Sequence, residues 1–275
     1  MHVHLASAFE EALRIKREHP DAVPIAGGTD LLVHWPDAED LHEKQWLDLS
    51  ALDELARVRF EEDAVVIGAL VTYWDIIQDE RFHVLPLLPR AAATVGSVQI
   101  QTRGTWAGNI ANASPAADGV PALMAYDAEV TLASVDGTRV VALADFYHGY
   151  KQLEARPDEL IESIRVPLRT HDVEEFIKVG SRAAQAITKV GVAIAHSAAG
   201  WRIVANSMAP TVRRCRALEG LVAGGEPVTS PDDLLAAVRT DVAPIDDIRS
   251  TAAYRERVFS RVLYHALLSR CDSFS

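Results

Sequence analysis

Apolar positions along the chain change their period several times, and each change predicts an element. Phe9, Ala12, Leu13 and Ile15 recur at roughly helical spacing, and Ser7-Ala8-Phe9-Glu10 fits a capping box. A helix is therefore predicted to start at Ser7 and to stop near His19 and Pro20. The run Val23-Pro24-Ile25-Ala26 predicts a short buried strand that feeds Gly27-Gly28-Thr29-Asp30, with Leu31-Leu32-Val33 after it. Strands are predicted at 45–49 and 64–68, and helices at 72–79 and 86–95. From 96 to 118 the chain is rich in Gly, Asn and Ala and carries little charge. Strand-like alternation returns at 129–133, and Asp136-Gly137 is a hairpin signal.

Around 167–172 the sequence becomes polar, which places a domain boundary there and divides the chain into 1–170 and 171–275. Beyond it the pattern predicts strands at 176–179, 190–196 and 201–204. Helices are expected at 211–221, 232–238 and 252–269. The fold class is α+β, with a small sheet and a helical bundle in the second part. No internal repeat or low-complexity tract interrupts it.

Composition narrows the function. The 275 residues are 49% hydrophobic and 24% charged, as in an ordinary globular protein. The 39 acidic against 27 basic residues, net −12, disfavour a nucleic-acid partner. There is neither an apolar run long enough to span a membrane nor a signal-peptide pattern, so a cytoplasmic location is expected. Cys215 and Cys271 are too few for an iron–sulfur cluster, which takes about four thiolates, and are expected as thiols. Metal chemistry therefore has to come from a partner.

His2 and His4 would share one face of a strand, but no carboxylate or cysteine pattern accompanies them. His34, His83, His148 and His196 lack ligand spacing, and no GxSxG elbow supports a serine nucleophile. Arg213, Arg214 and Arg216 could form an anion site or a partner contact, but read more simply as a solvated helix face.

Two segments carry candidate chemistry. Successive backbone amides in a double-glycine turn such as Ala26-Gly27-Gly28-Thr29-Asp30-Leu31 form a concave anion site, and a pyrophosphate is its natural guest. The same residues could form a plain turn. They are not GxGxxG followed by an acid in a βαβ unit, which argues against a dinucleotide site of the Rossmann type. In the second segment, from Arg103 to Asp118, small residues would let a cofactor lie against the main chain. Thr105, Asn109, Asn112 and Ser114 offer neutral hydrogen bonds, and Asp118 could accept from a ribose hydroxyl. A long surface loop is the alternative, although structureless loops of this length are uncommon in compact domains.

Together, Ala26-Gly27-Gly28-Thr29-Asp30-Leu31 and the segment from Gln101 to Asp118 resemble the FAD-binding subunit of molybdenum hydroxylases. Relatives include the carbon monoxide dehydrogenase medium chain and the xanthine dehydrogenase FAD domain. The likeness extends through 158–167, 176–182, 208–211 and 246–255. It implies a PCMH-type FAD-binding domain, built of two α/β subdomains, followed by a small α+β domain with an antiparallel sheet and helical bundle. By position, Pro24, Ile25, Ala26, Gly27, Gly28, Thr29, Asp30 and Leu31 would wrap the FAD pyrophosphate and ribityl chain with Thr105, Trp106, Ala107, Gly108 and Asn109. Asp118 would contact the adenosine side. Val95 and Ile161 would form apolar wall, and Lys178 a cationic contact.

The chain departs from the family at Trp106, where an aliphatic residue is usual, at Ala107, usually Gly, and at Thr102, frequently Asn. If Ala107 required positive φ it would be strained by roughly 1 kcal/mol. Trp106 is expected to pack toward a partner or the flavin edge.

The resemblance further implies an electron-transfer subunit. A large molybdopterin-binding subunit and a small subunit with two-iron two-sulfur clusters would accompany it, in a dimer of heterotrimers. Electrons would pass to NAD⁺, oxygen or another acceptor, and no catalytic base of its own is required. A free-standing flavin oxidase or reductase, and a regulatory subunit that has lost FAD, stand as alternatives.

Overall fold

The computed structural model describes residues 2–33, 35, 39–271 and 273–275; His34, whose spacing was considered above, lies outside them. The chain opens with β1 (His2–Leu5), α1 (Phe9–Glu18), β2 (Val23–Ile25), α2 (Glu39–Glu43) and β3 (Gln45–Asp48). Next come β4 (Val58–Phe60), β5 (Ala64–Gly68), α3 (Tyr73–Gln78) and α4 (Leu87–Thr94). Three short helices follow, α5 (Val98–Gln101), α6 (Trp106–Asn112) and α7 (Gly119–Ala125). The chain then forms β6 (Glu129–Ser134), β7 (Gly137–Ala142), β8 (Tyr147–Gly149), β9 (Gln152–Leu153) and β10 (Leu160–Pro167). The remainder is β11 (His171–Val179), β12 (Val190–Ser197), β13 (Gly200–Asn206), β14 (Arg213–Arg214), α8 (Arg216–Gly224), α9 (Leu235–Asp241) and α10 (Ala252–Leu267).

The first layer is a parallel sheet in the order β1-β3-β2, registered by His2 opposite Gln45 and Val23 opposite Trp46. Its crossover helix α1 begins later than the capping pattern predicts. Ala8 precedes the first turn without a side-chain cap. The amide of Phe9 is instead taken by Glu54 Oε1 at 2.6 Å, so the capping work comes from a distant carboxylate. Ser7 turns to Glu11, donating its N–H and hydroxyl at 2.7 and 2.6 Å.

The second layer is an antiparallel sheet in the order β4-β5-β10-β6-β7. β5 is buried along its whole length, as a central strand with both faces covered requires. The β6–β7 hairpin closes at Asp136-Gly137, where Gly137 has φ +130.

Between these layers and the last sheet lies α7, which the apolar pattern did not predict. All seven of its residues are buried, so it has no polar face and no 3.6-residue period to reveal it. It packs against α4 and α6 on one side and β12 and β13 on the other.

The antiparallel sheet β11-β12-β13-β14 serves two cores by simple alternation. Ala193, Ala195 and Val204 face the N-terminal core, while Val192, Ile194, Ile203 and Ala205 face the core built with α8, α9 and α10. The helix expected over 211–221 is present only from Arg216, as α8; its expected first turn holds strand β14, which pairs with Val204 and Ala205. The solvated-face reading is overturned for Arg214, which donates to Glu219 Oε2 at 2.7 Å and is 20% exposed.

Asp127, just past α7 at φ 54, ties the halves together. It accepts from Arg202 Nε at 2.6 Å and Arg169 Nη1 at 2.5 Å. Among the described residues, no helix is long and apolar enough to cross a membrane, and no His, Cys, Asp and Glu cluster is placed to hold a metal ion.

Candidate cofactor site

The two glycine turns meet. β2 ends as the carbonyl of Ile25 accepts from Leu49 N at 2.9 Å, and the chain turns through Gly27 and Gly28. Gly28 has φ +70, a conformation that suits glycine, and its carbonyl accepts from Leu32 N at 3.0 Å. A Cβ at Gly27 would fall 1.8 Å from the carbonyl oxygen of Arg103, and one at Gly104 would lie 3.2 Å from Thr29 Oγ1. Only a hydrogen on Gly27 lets these main chains touch. Among the described residues, the amides of Gly27, Gly28, Thr29 and Asp30 have no hydrogen-bond acceptor.

The second turn is pinned from behind. Tyr73 N donates to Gly104 O at 3.1 Å, and Trp106 N donates to Val71 O at 3.2 Å, which sets Thr105 opposite Thr72. Thr105 then starts α6, its Oγ1 accepting from Gly108 N at 2.9 Å. The stretch for which a long surface loop was the alternative is thus largely helical. Its small residues allow α6 and α7 to pack closely: a Cβ at Gly119 would meet Asn109 Oδ1 at 2.8 Å and the Trp106 ring at 3.1 Å. Asn109 Oδ1 accepts from Gly119 N at 3.1 Å, so its acceptor is spent inside the protein while its amide donors remain.

Two expectations about the departures are corrected. Trp106 is 0% exposed and sits 5.2 Å from the Tyr73 ring, so it fills the core and presents no face to a partner. Its Nε1–H is buried without an acceptor among the described residues. Ala107 lies in the first turn of α6 and is not among the residues at positive φ, so the anticipated strain is absent. Positive φ falls instead on Ala113, which ends α6, and on Gly96.

Asp118 and Lys178 are brought together, where the family pattern gave them separate contacts. Lys178 Nζ donates to Asp118 Oδ2 at 2.6 Å and to Thr94 O at 2.9 Å, with side chains 10% and 9% exposed. The Lys178 ammonium is therefore held inside the protein. Asp118 Oδ1 accepts from Thr188 Oγ1 at 2.5 Å and Asn206 Nδ2 at 3.2 Å. Three donors already occupy Asp118, which leaves one of the roughly four acceptor positions of a carboxylate, on Oδ2, for a further donor. Burial, and then the charge of Asp118, push the Tyr73 hydroxyl far above its ordinary range, so it remains protonated. Val95, at the end of α4, and Ile161, opposite Leu132, are both half-buried against the N-terminal core. Pro24 is paired within the parallel sheet opposite Leu47, and Leu31 lies in the turn that follows Gly28.

Thr188 and Asn206 were not singled out from sequence. They reach Asp118 from positions 70 and 88 residues away, a relation that leaves no local period. A shallow cavity of about 520 Å³ lined by Asp172, His196, Trp201 and Arg270 lies in the C-terminal half, and no residue of either glycine turn lines it.

Residues 1–169 match the family described as the FAD binding domain in molybdopterin dehydrogenase. The chain belongs to this family of FAD-binding subunits of molybdenum hydroxylases. Residues 175–269 match the CO dehydrogenase flavoprotein C-terminal domain. Like its relatives, this FAD-binding subunit is thus an oxidoreductase component.

The nicotinate dehydrogenase FAD-subunit of Eubacterium barkeri is 38% identical over 193 residues, covering 66% of this chain and 64% of that subunit. The caffeine dehydrogenase subunit beta of Pseudomonas sp. (strain CBB1) is 30% identical over 275 residues, covering 97% of this chain and 93% of that subunit. The fold matches a chain of reconstituted CO dehydrogenase from Oligotropha carboxidovorans with a TM-score of 0.88, covering 100% and 98% of the two chains at 23% identity.

Proposed function

We propose that this chain binds FAD between its two glycine turns and serves as the electron-transferring subunit of a molybdenum hydroxylase complex. The observation that carries the reading is the contact of Gly27 with the Arg103 carbonyl, which joins the two glycine turns into one cradle. In this reading Ala26 to Leu31 hold the pyrophosphate, Thr105, Ala107, Gly108 and Asn109 line the ribityl chain over the buried Trp106, and Val95 and Ile161 bound the ring system. Lys178 has two N–H groups committed to Thr94 and Asp118, so its third is the one offered to the cofactor. The Asp118–Lys178 pair is neutral as a unit, which limits the charge the protein places beside the flavin.

FAD, when bound, supplies redox chemistry in one- and two-electron steps; the protein supplies position and electrostatics. We place the molybdenum cofactor on a large partner subunit and two-iron two-sulfur clusters on a small one, in a cytoplasmic dimer of heterotrimers. Electrons pass from those clusters through this subunit to NAD⁺, oxygen or another acceptor. The domain boundary is placed at 170/171, between the two matched regions.

The test is flavin content. The purified chain is expected to carry FAD, visible in its absorption spectrum, and a Gly28→Trp variant to lose it. A wild-type chain that stays colourless in excess FAD, or a Gly28→Trp variant that binds normally, would contradict the reading. A chain that oxidises a small alcohol without molybdenum or iron would argue for a free-standing oxidase instead.

A further inference from the structure

Behind the Asp118–Lys178 pair lies a continuous polar chain that runs back to α10. Asn206 Nδ2, besides reaching Asp118, donates to Ala117 O at 2.9 Å. Its Oδ1 would lie 1.9 Å from a Cβ at Gly191, so this side chain fits only beside a glycine. Ser207, at φ +62, donates its hydroxyl to Thr188 O at 2.8 Å and its amide to Pro115 O at 2.7 Å. Arg255 is 4% exposed and clasps both strand ends, Nη1 donating to Lys189 O at 2.9 Å and to Ser207 O at 2.8 Å. Asp247 Oδ1 receives Arg255 Nη2 at 2.7 Å and the amides of Arg249 and Ser250 at 2.8 and 3.0 Å.

Such a cluster is poorly explained as a source of stability. Buried ion pairs roughly break even against apolar packing, because desolvation offsets their attraction. Asn206 Oδ1 and Arg255 Nε are buried without a partner among the described residues, so the cluster is not saturated; what its remaining bonds do provide is a fixed geometry for the side chains that make them. Here Thr188 and Asn206 bond the Asp118 carboxylate directly, while Ser207 and Arg255 hold the main chain at and beside those two residues. That carboxylate in turn fixes where Lys178 Nζ points.

We propose that Thr188 and Asn206, held in place by the Arg255–Asp247 clasp, are positioning residues that set the Asp118–Lys178 pair and thereby tune flavin affinity and redox potential. The inference rests on the reading that this pair borders the flavin. Donors on Asp118 spread its negative charge; removing one makes the surroundings more negative and reduction of a nearby flavin less favourable.

The test uses the full chain with Thr188→Val, which keeps the shape and removes the donor, and Thr188→Ser, which restores it. FAD dissociation constants are measured by flavin fluorescence, midpoint potentials by redox titration, and apo-protein melting serves as the structural control. Thr188→Val is expected to weaken FAD roughly tenfold, the loss of one hydrogen bond to a charged group, and to lower the midpoint potential. Thr188→Ser should recover both. Should Thr188→Val fail to fold, Asn206→Asp places a second carboxylate against Asp118 and is expected to make FAD affinity fall as pH rises through the range where both ionise.

A Thr188→Val protein with wild-type affinity and potential, or an Asn206→Asp protein with unaltered pH dependence, would overturn the inference. Lys178→Met separates it from the underlying reading. If that variant alone loses FAD affinity, the site stands and the positioning role falls; if neither variant changes it, the placement of the flavin falls as well.

Discussion

Gly27 and Gly28 stand side by side and are needed for different reasons. Gly28 needs glycine for its φ of +70; the atom nearest a Cβ there is the movable Leu32 Cδ1 at 3.0 Å. Gly28→Ala should therefore cost about 1 kcal/mol and leave the fold and FAD binding in place. Gly27 has an ordinary φ but no room, because its Cβ would lie within the Arg103 carbonyl. Gly27→Ala is expected to pry the turns apart and weaken FAD at least tenfold, a loss of about 1.4 kcal/mol. Paired melting and FAD titrations check this ranking, and equal behaviour of the two variants would contradict it. The sequence made both glycines conspicuous, yet it could not tell a conformational requirement from a steric one. Trp106 teaches the opposite lesson: it was expected to pack toward a partner or the flavin edge, whereas the packing of Gly119 and Tyr73 around it buries it.

Among the elements, strands with one covered face were legible because their side chains alternate, and the Asp136-Gly137 hairpin announced itself through turn chemistry. α7 stayed hidden because burial on every side erases periodicity, and β14 because two arginines at a sheet edge look like a helix start. The second sheet also carries the clearest pH-dependent contact. Arg139 on β7 donates to Glu159 at 2.7 and 2.9 Å and to Glu154 at 2.9 Å, joining β7 to the approach of β10.

Hydrogen bonds from Arg139 hold the Glu159 carboxyl below its usual range despite burial. For Asp127, burial works to raise the carboxyl, but hydrogen bonds and charge from Arg202 and Arg169 outweigh it and hold it low. A depressed folded pKa means the stabilisation is complete above the unfolded carboxylate values, about pH 4, and is lost as pH falls through the folded ones. Arg139→Met should cost about 2 kcal/mol at neutral pH, less than a wholly buried pair because Arg139 is 27% exposed. It should also flatten the decline in melting temperature below pH 4, and an acid limb as steep as the wild type would refute this assignment.

At the scale of the whole molecule, α7 joins the two halves: Asp118 precedes it and Asp127 follows it, and each is bonded to the C-terminal sheet. The glycine turns belong to the N-terminal half, while Lys178, Thr188 and Asn206 come from the C-terminal half, so the proposed flavin environment needs both. This division was only partly readable in sequence. The turns are local and were visible as motifs; the polar chain behind Asp118 is made of long-range contacts and emerged only in three dimensions. The most direct measurement is a crystal structure of the chain with FAD. The diphosphate is predicted to lie against the amides from Gly27 to Asp30, with the ribityl chain along Thr105 to Asn109. A dinucleotide seated elsewhere, for instance in the cavity beside His196 and Trp201, with the glycine turns touching no part of it, would contradict the account.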